Sequence, residues 1–524
     1  TIAYNGDQEQ TAVTEPGGVT QTYTYDSLGN LKSESGSGAA ATTATRTFTY
    51  DNNSNMLTAA TSNTAGSGSN ATSEAFTYDD RGLLTGATGS AGTTNIGYNG
   101  DSQLQTVQDA PGTSTYAYDG DGRLATMADP ASGATLTYSY NPMSQLSKIA
   151  YGTSGDTQTY GYNGLHQLTS DALASPSGTA IASITYGYDL DGNLTSKVTT
   201  APFAGAASNS YTYDEASRLT SWTSGTTTTA YTYDNNGNRT KAGTTSYAYD
   251  ARDELTGDGT STYSYTANGD LSSVAGPSGT VASTSDAYGQ QATQGTQSDT
   301  YDALGRDVQL ASGSTTTSLS YQGNGGQLVS DGGSRYTWTP GGILTGTAPA
   351  SGGTGVLDLT DQHTDVVAQF TAAGTTLSAS RAYGPWGAVT ANSSTLLAGS
   401  LGYQSQYASP VTGQTSMGAR WYNPATGGFG NKDTVSNNPV PDSASASPFA
   451  YAADNPLTGT DPTGHGLLPA WLSNPESAVA GAVILLAPLL YTGTKKLVSG
   501  AVNLTQSIIC LLYTSPSPRD RQKS

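Results

Sequence analysis

The chain has 524 residues, a net charge of −20 and only 11% charged side chains. Nucleic-acid binding is excluded, because it needs a basic surface. Three histidines and one cysteine cannot build a Cys/His metal site, and no cofactor or metal is expected. Tyrosine dominates the aromatics, with 34 copies against 6 Phe and 5 Trp. With 65 Gly and 22 Pro the chain is turn-rich, yet below the share of these residues that marks disorder. The composition reads as a folded all-β protein. Most Asp is expected in turns, with its carboxylate in water.

The first clear element is Tyr23-Thr24-Tyr25-Asp26-Ser27-Leu28-Gly29-Asn30-Leu31. Thr and Tyr alternate with a period of two, which predicts a strand. Asp26 can hydrogen-bond forward into a turn, and Gly29 can take positive φ. Leu31 restarts an inward-facing strand. One hairpin of this size is marginal and needs copies beside it. They follow at Phe48–Asp51, Phe76–Asp79, Tyr116–Asp119, Tyr138–Asn141, Tyr160–Asn163, Tyr186–Asp189, Tyr211–Asp214, Tyr231–Asp234, Tyr247–Asp250 and Tyr263–Tyr265. Weaker copies sit at Tyr4, Tyr98, Tyr288, Tyr301, Tyr321 and Trp338. A period near 20 residues marks units that bury their faces only by stacking. Gly/Ser/Thr-rich stretches such as Thr61–Ser73 and Ser170–Ser183 are expected as surface loops.

The period stops around Thr345–Gly355. Leu357–Asp361 and Val366–Phe370 then read as strand, turn, strand, and Arg381–Gly387 as an altered unit. Gly418-Ala419-Arg420-Trp421-Tyr422-Asn423-Pro424 follows, then Asp433, a Ser/Ala/Pro-rich insert over Asn437–Ser447, and Asn455–Gly464, which ends Asp461-Pro462-Thr463-Gly464. Ala478–Tyr491 is an apolar run of 14 residues, shorter than the roughly 20 that span a bilayer, with Pro488 inside it. It is expected as a short buried or interfacial helix, with membrane contact of 478–491 left open. Residues 510–524 back-translate to a transposase mosaic-end adaptor and are expected to be sequencing-adaptor read-through; the only cysteine, Cys510, lies there. The chain begins inside a repeat and is expected to be a fragment.

The recurring Y-x-Y-D-x-x-G-x-L resembles the tyrosine–aspartate repeats of bacterial RHS proteins, toxin-complex C subunits and teneurins. Gly418–Phe429 and Asn455–Gly464 resemble that family's RHS repeat-associated core. The resemblance implies YD-repeat hairpins wound as one continuous sheet into part of a hollow shell over 1–345. The core would occupy 346–465, and 466–509 would begin a C-terminal effector. It also implies an intramolecular aspartic autoprotease, with Arg420, Asp433 and Asp461 at the matching positions and cleavage between His465 and Gly466. The sequence departs from the pattern at Thr364 (usually Gly), Asn423 (usually Asp), Gly428 (usually Arg) and His465 (usually Leu).

Two carboxylates held close cannot both ionise easily, so one can act as base and the other as acid. Arg420 would steady the ionised partner or a developing oxyanion. The same residues also read as plain structure, with Asp461–Gly464 a turn, Asp433 a cap and Arg420 an ion pair. Asp189–Asn193 and Asp234–Asn238 read as turns, since Thr200 and Thr245 occupy the twelfth position where a calcium loop wants Glu. Gly323–Gly326 is likewise a turn.

The expected function is encapsulation and release of a C-terminal effector, a toxin, by a secreted or cell-surface bacterial protein. Partners would be its own effector segment and a second shell subunit or delivery apparatus. The alternatives are a surface adhesin binding carbohydrate, with no cleavage, and a structural stalk.

Overall fold

The structure, a computed structural model, describes residues 1–62, 71–435 and 447–466, with the backbone of 468–469. The expected effector segment apart from Gly466 and the short strand Leu468–Pro469, the apolar run at 478–491, the stretch 510–524, residues 63–70 of the expected Thr61–Ser73 loop and all of the 437–447 insert except Ser447 lie outside these residues.

The described chain is antiparallel β throughout, apart from three-residue 3₁₀ turns. Strands pair in chain order. Twenty-three of them from Ile2 to Ser246 make one sheet, nine from Ala248 to Ser318 a second, and eight from Ser320 to Asn392 a third. Single residues part these sheets, and their amides still bond across: Tyr247 N–H to Thr240 O at 2.9 Å, and Leu319 N–H to Val308 O at 2.9 Å. The third sheet runs without a break through residue 345, where the sequence period ends. The long sheet is open and is not closed into a barrel.

Most repeat hairpins turn on an aspartate, and those at Asn99, Asn141 and Asn163 turn on an asparagine in the same way. Asp26 Oδ1 accepts Leu28 N–H and Asn30 N–H, both at 2.9 Å, and Gly29 N–H reaches Asp26 O at 3.1 Å. Gly29 sits at φ +81°, where a side chain would be strained. The extra residue shifts the register between Thr24 and Tyr25, so Tyr25 faces Leu31. This bulge recurs at Tyr50, Tyr78, Tyr140, Tyr188 and Tyr213. Asp189 and Asp234 make the same turn, and Gly323–Gly325 is a turn whose carbonyls bind Arg306.

The two aromatics of a unit do different work. The first, as at Tyr23, Phe48, Phe76, Tyr138, Tyr186 and Tyr211, is buried on the inner face. The second is half-buried, and its hydroxyl donates to the carbonyl that starts the return strand of the preceding hairpin. Tyr50 bonds Leu31 O at 2.9 Å, Tyr140 bonds Leu124 O at 2.8 Å and Tyr213 bonds Leu194 O at 2.8 Å. Trp338 does the same through Nε1–H to Leu328 O at 2.8 Å. The outer face carries paired hydroxyls such as Thr49 with Thr58, at 2.6 Å.

The wall curls so that early strands meet late ones. Tyr288, in a degraded copy of the repeat, sends its hydroxyl to Ala44 O at 2.8 Å, and Tyr116 bonds Trp338 O at 3.1 Å. The largest core joins wall residues Tyr186, Leu194, Tyr211 and Leu219 to Phe370, Tyr403, Tyr422 and Tyr451. The described core residues from Leu357 to Leu457 therefore pack against the inner face of the wall.

One expectation needs correction. Ser170–Ser183 is mostly strand: Leu168–Ala174 pairs with Ala180–Tyr188, because Asp171, Leu173, Ile181 and Ile184 face inward. The loop proper is the tight turn closed by Ser175 N–H to Thr179 O at 2.8 Å, and Thr179 N–H to Ser175 Oγ at 3.2 Å. Thr364, one of the departures from the pattern, adopts φ +64°, with Thr364 N–H on Asp361 O at 2.9 Å. A minority of the aspartates are buried. Asp171, Asp299, Asp302, Asp358 and Asp461 are buried among the strands.

Candidate functional site

Arg420 opens the strand Arg420–Asn423, which pairs with Thr415–Met417 on one side and Gly428–Phe429 on the other. Its guanidinium lies over the Phe429 ring, 3.7 Å from the centroid. Asp433 follows Phe429 closely and is fastened by its N–H to Pro448 O at 3.1 Å. Asp461 follows the strand Gly459–Thr460 and starts the turn to Gly464. Gly464 sits at φ +69°, packed so closely that a Cβ would run into Met417 O. These elements bring together Arg420, Asp433 and Asp461, with side chains 4%, 1% and 2% exposed.

Arg420 Nη2 stands 3.1 Å from Asp433 Oδ2 and 3.6 Å from Asp461 Oδ2. The rest of the guanidinium is held by backbone, with Nη1 on Pro448 O at 2.7 Å and Nε on Gly464 O. Asp461 Oδ1 accepts the N–H groups of both His465 and Gly466 at 3.0 Å, one on each side of the expected cut. Asp433 Oδ1 faces Val435 N–H and His465 Nδ1, both at 2.9 Å. Its Oδ2 is buried and makes no hydrogen bond.

The two carboxylates titrate in opposite directions. For Asp433 burial pushes upward, but Arg420 and then His465 outweigh it and hold the group below the ordinary carboxylate value. For Asp461 burial wins over Arg420 and the Gly466 amide, helped by the Asp433 charge, and the group titrates above its ordinary value. Burial also lowers Arg420 against both carboxylates. It remains a cation, since guanidinium is not deprotonated in proteins. The site thus pairs an ionised carboxylate with one that holds its proton more readily.

A second charged cluster escaped sequence reasoning. Lys197, on a wall strand, pairs with Asp361. His363 Nδ1 lies 3.1 Å from Asp365 Oδ1, and its Nε2 lies 3.0 Å from Gly459 O, two residues before Asp461. Burial works against the charged His363 ring, but Asp365 and Asp361 outweigh it and raise its pKa. Lys197 and Asp361 are 164 residues apart, and no local pattern announces the pair.

The sequence matches the teneurin YD-shell family model over residues 156–308, and the RHS repeat model over residues 4–42 and 118–157. No curated protein matches it. Among solved structures, TcdB2-TccC3 is similar over 88% of this chain and 28% of that chain, with TM-score 0.64 and 15% identity. TcdB2-TccC3-TEV is similar over 88% and 27%, with TM-score 0.63 and 15% identity. The Photorhabdus luminescens Tc holotoxin pore with a TccC3 mutation is similar over 90% and 27%, with TM-score 0.58 and 16% identity. The chain spans little more than a quarter of the length of these chains, and at such identity the likeness is one of fold.

Proposed function

We propose, on the premise that the chain is an RHS/YD-repeat protein, that it forms part of a secreted toxin-complex shell and frees a C-terminal effector by cutting itself between His465 and Gly466. One observation carries this reading: Asp461 Oδ1 grips the amides on both sides of that bond, while Asp433 and Arg420 close around it.

Asp433, held ionised, acts as general base through Oδ2, the oxygen left without a hydrogen bond. A water gives its proton to Asp433 and adds to the His465 carbonyl carbon. Asp461, holding its proton more readily, delivers it to the Gly466 nitrogen as the C–N bond breaks. The products are a carboxyl group at His465 and an amine at Gly466. Positioned acid–base catalysis of this kind contributes about 10²–10⁴-fold. Arg420 faces both carboxylates and stabilises the charge that moves between them. Cleavage falls at low pH as Asp433 takes a proton, and at high pH as Asp461 loses one. The packing of core residues such as Tyr422 and Tyr451 against wall residues Tyr186 and Tyr211 supports release of the new end on the inner side of the wall.

The test uses the chain with a C-terminal tag. Wild type gives two bands on a denaturing gel, with Gly466 as the new N-terminus by mass spectrometry. Asp433→Asn and Asp461→Asn give one. Equal cleavage in all three removes these residues from the mechanism.

A further inference from the structure

The side chain at the cut position is itself built into the site. His465 Nδ1 lies 2.9 Å from Asp433 Oδ1, while the His465 amide is held by Asp461 Oδ1 at 3.0 Å and by Thr463 Oγ1 at 3.3 Å. The ring is 32% exposed and reaches a carboxylate that is 1% exposed. The residue whose carbonyl is to be attacked therefore touches both carboxylates, one through its backbone and one through its imidazole.

We propose that His465 is a positioning and specificity-determining residue of its own cleavage: its imidazole donates to Asp433 Oδ1 and turns Oδ2 toward the water that attacks the His465 carbonyl. This rests on the self-cleavage reading above. Asp433 has two oxygens and two kinds of neighbour. Oδ1 is filled by Val435 N–H and the imidazole; Oδ2 has only the guanidinium of Arg420 at 3.1 Å. With the imidazole gone, Oδ1 keeps one donor, the carboxylate is free to rotate, and either oxygen can turn to Arg420. The site thus selects a residue at the cut that offers a donor where Nδ1 stands. Asparagine, whose Nδ2 occupies nearly that place, satisfies it; leucine and glutamine do not.

A protonated ring also adds charge. The ionisable groups facing it are Asp433 and, through the shared turn, Asp461 and Arg420. A cationic His465 keeps Asp433 ionised to lower pH, where an asparagine gives the hydrogen bond without the charge.

The experiment refolds the tagged chain from denaturant at a series of pH values and follows cleavage by gel, for wild type, H465N, H465L, H465Q and D433N. Wild type cuts, and D433N does not. H465L and H465Q cut about tenfold more slowly or worse, the loss expected for a hydrogen bond to a charged group. H465N recovers most of the rate, which a misfolded site would not allow. The low-pH limb moves upward in H465N and further in H465L. If H465L matches wild type in rate and pH limb while D433N stays uncut, His465 has no such role and the self-cleavage reading stands. If H465N is as slow as H465L, the donor is not what His465 supplies and the inference fails. A wild-type chain that remains whole overturns both.

Discussion

The turn at Asp26 and the turn at Asp461 share one backbone design in opposite surroundings. In each, the aspartate Oδ1 accepts the N–H four residues on: Asn30 at 2.9 Å and His465 at 3.0 Å. In each, a glycine three residues on takes positive φ and bonds back to the aspartate carbonyl, at 3.1 Å for Gly29 and 3.3 Å for Gly464. Asp26 stands in water, and its bonds from Asn30 leave it below the ordinary carboxylate value. Asp461 is buried beside a second carboxylate, and burial raises it. The Asp-x-x-Gly turn is therefore neutral as to role. Sinking it beside Arg420 and Asp433 makes it a candidate for chemistry, while leaving it at a hairpin tip makes it a hinge pin for the wall.

The sharpest way to break this comparison is Arg420→Ala. It strands two buried carboxylates without a cation, so stability should fall by about 3–5 kcal/mol in denaturant titration, and cleavage should stop. Unchanged unfolding would mean that the core is as wet as the hairpin tips.

The next test concerns buried carboxylates that lack a cation. Burial pushes Asp171 and Asp358 up to about 7, against the hydrogen bonds they accept. In the unfolded chain they titrate near 3.9. Between these values the unfolded state gives up its protons first. Their contribution is present in full below pH 4 and is lost as pH rises through 7. Asp358→Asn removes that dependence while keeping neutral partners for Thr347 and Gln369. Its stability relative to wild type should grow by on the order of 3 kcal/mol between pH 4 and pH 8, read from thermal melts.

Smaller still is Tyr213→Phe, which deletes the bond to Leu194 O and should cost about 1 kcal/mol with cleavage unchanged. Asp26→Asn should be mildest: a slight drop in melting temperature and normal cleavage. If it slowed cleavage, the two turns would be coupled rather than merely alike.

Much of this was legible. The Thr/Tyr alternation around Tyr23 and Asp26 specifies strand, bulge and turn with partners a few residues apart, so the pattern carries its own geometry. Arg420, Asp433 and Asp461 were legible only through a resemblance, because their meeting depends on three strands folding over one another. The inward Asp171 and Asp358 were not legible at all. Alternation says which face a residue takes, and a lone Asp on an inward position reads as a turn or an error until its Gln and Thr partners are in view. Lys197 with Asp361 was hidden for the same reason, since the pair exists only once the wall has curled. His465 read as a departure from pattern, and its reach to Asp433 emerges only in three dimensions.

The tyrosine hydroxyls that reach back to the previous hairpin bear on how the wall would carry load. Each ties a unit to its immediate predecessor, so tension along the sheet passes through links in series, and the weakest sets where a tear begins. At Tyr288 the ring instead grips the opposite layer through Glu34 O and Ala44 O, with Arg46 stacked 3.8 Å above it. There the material is cross-plied, and a tear running along one layer has to cut through two.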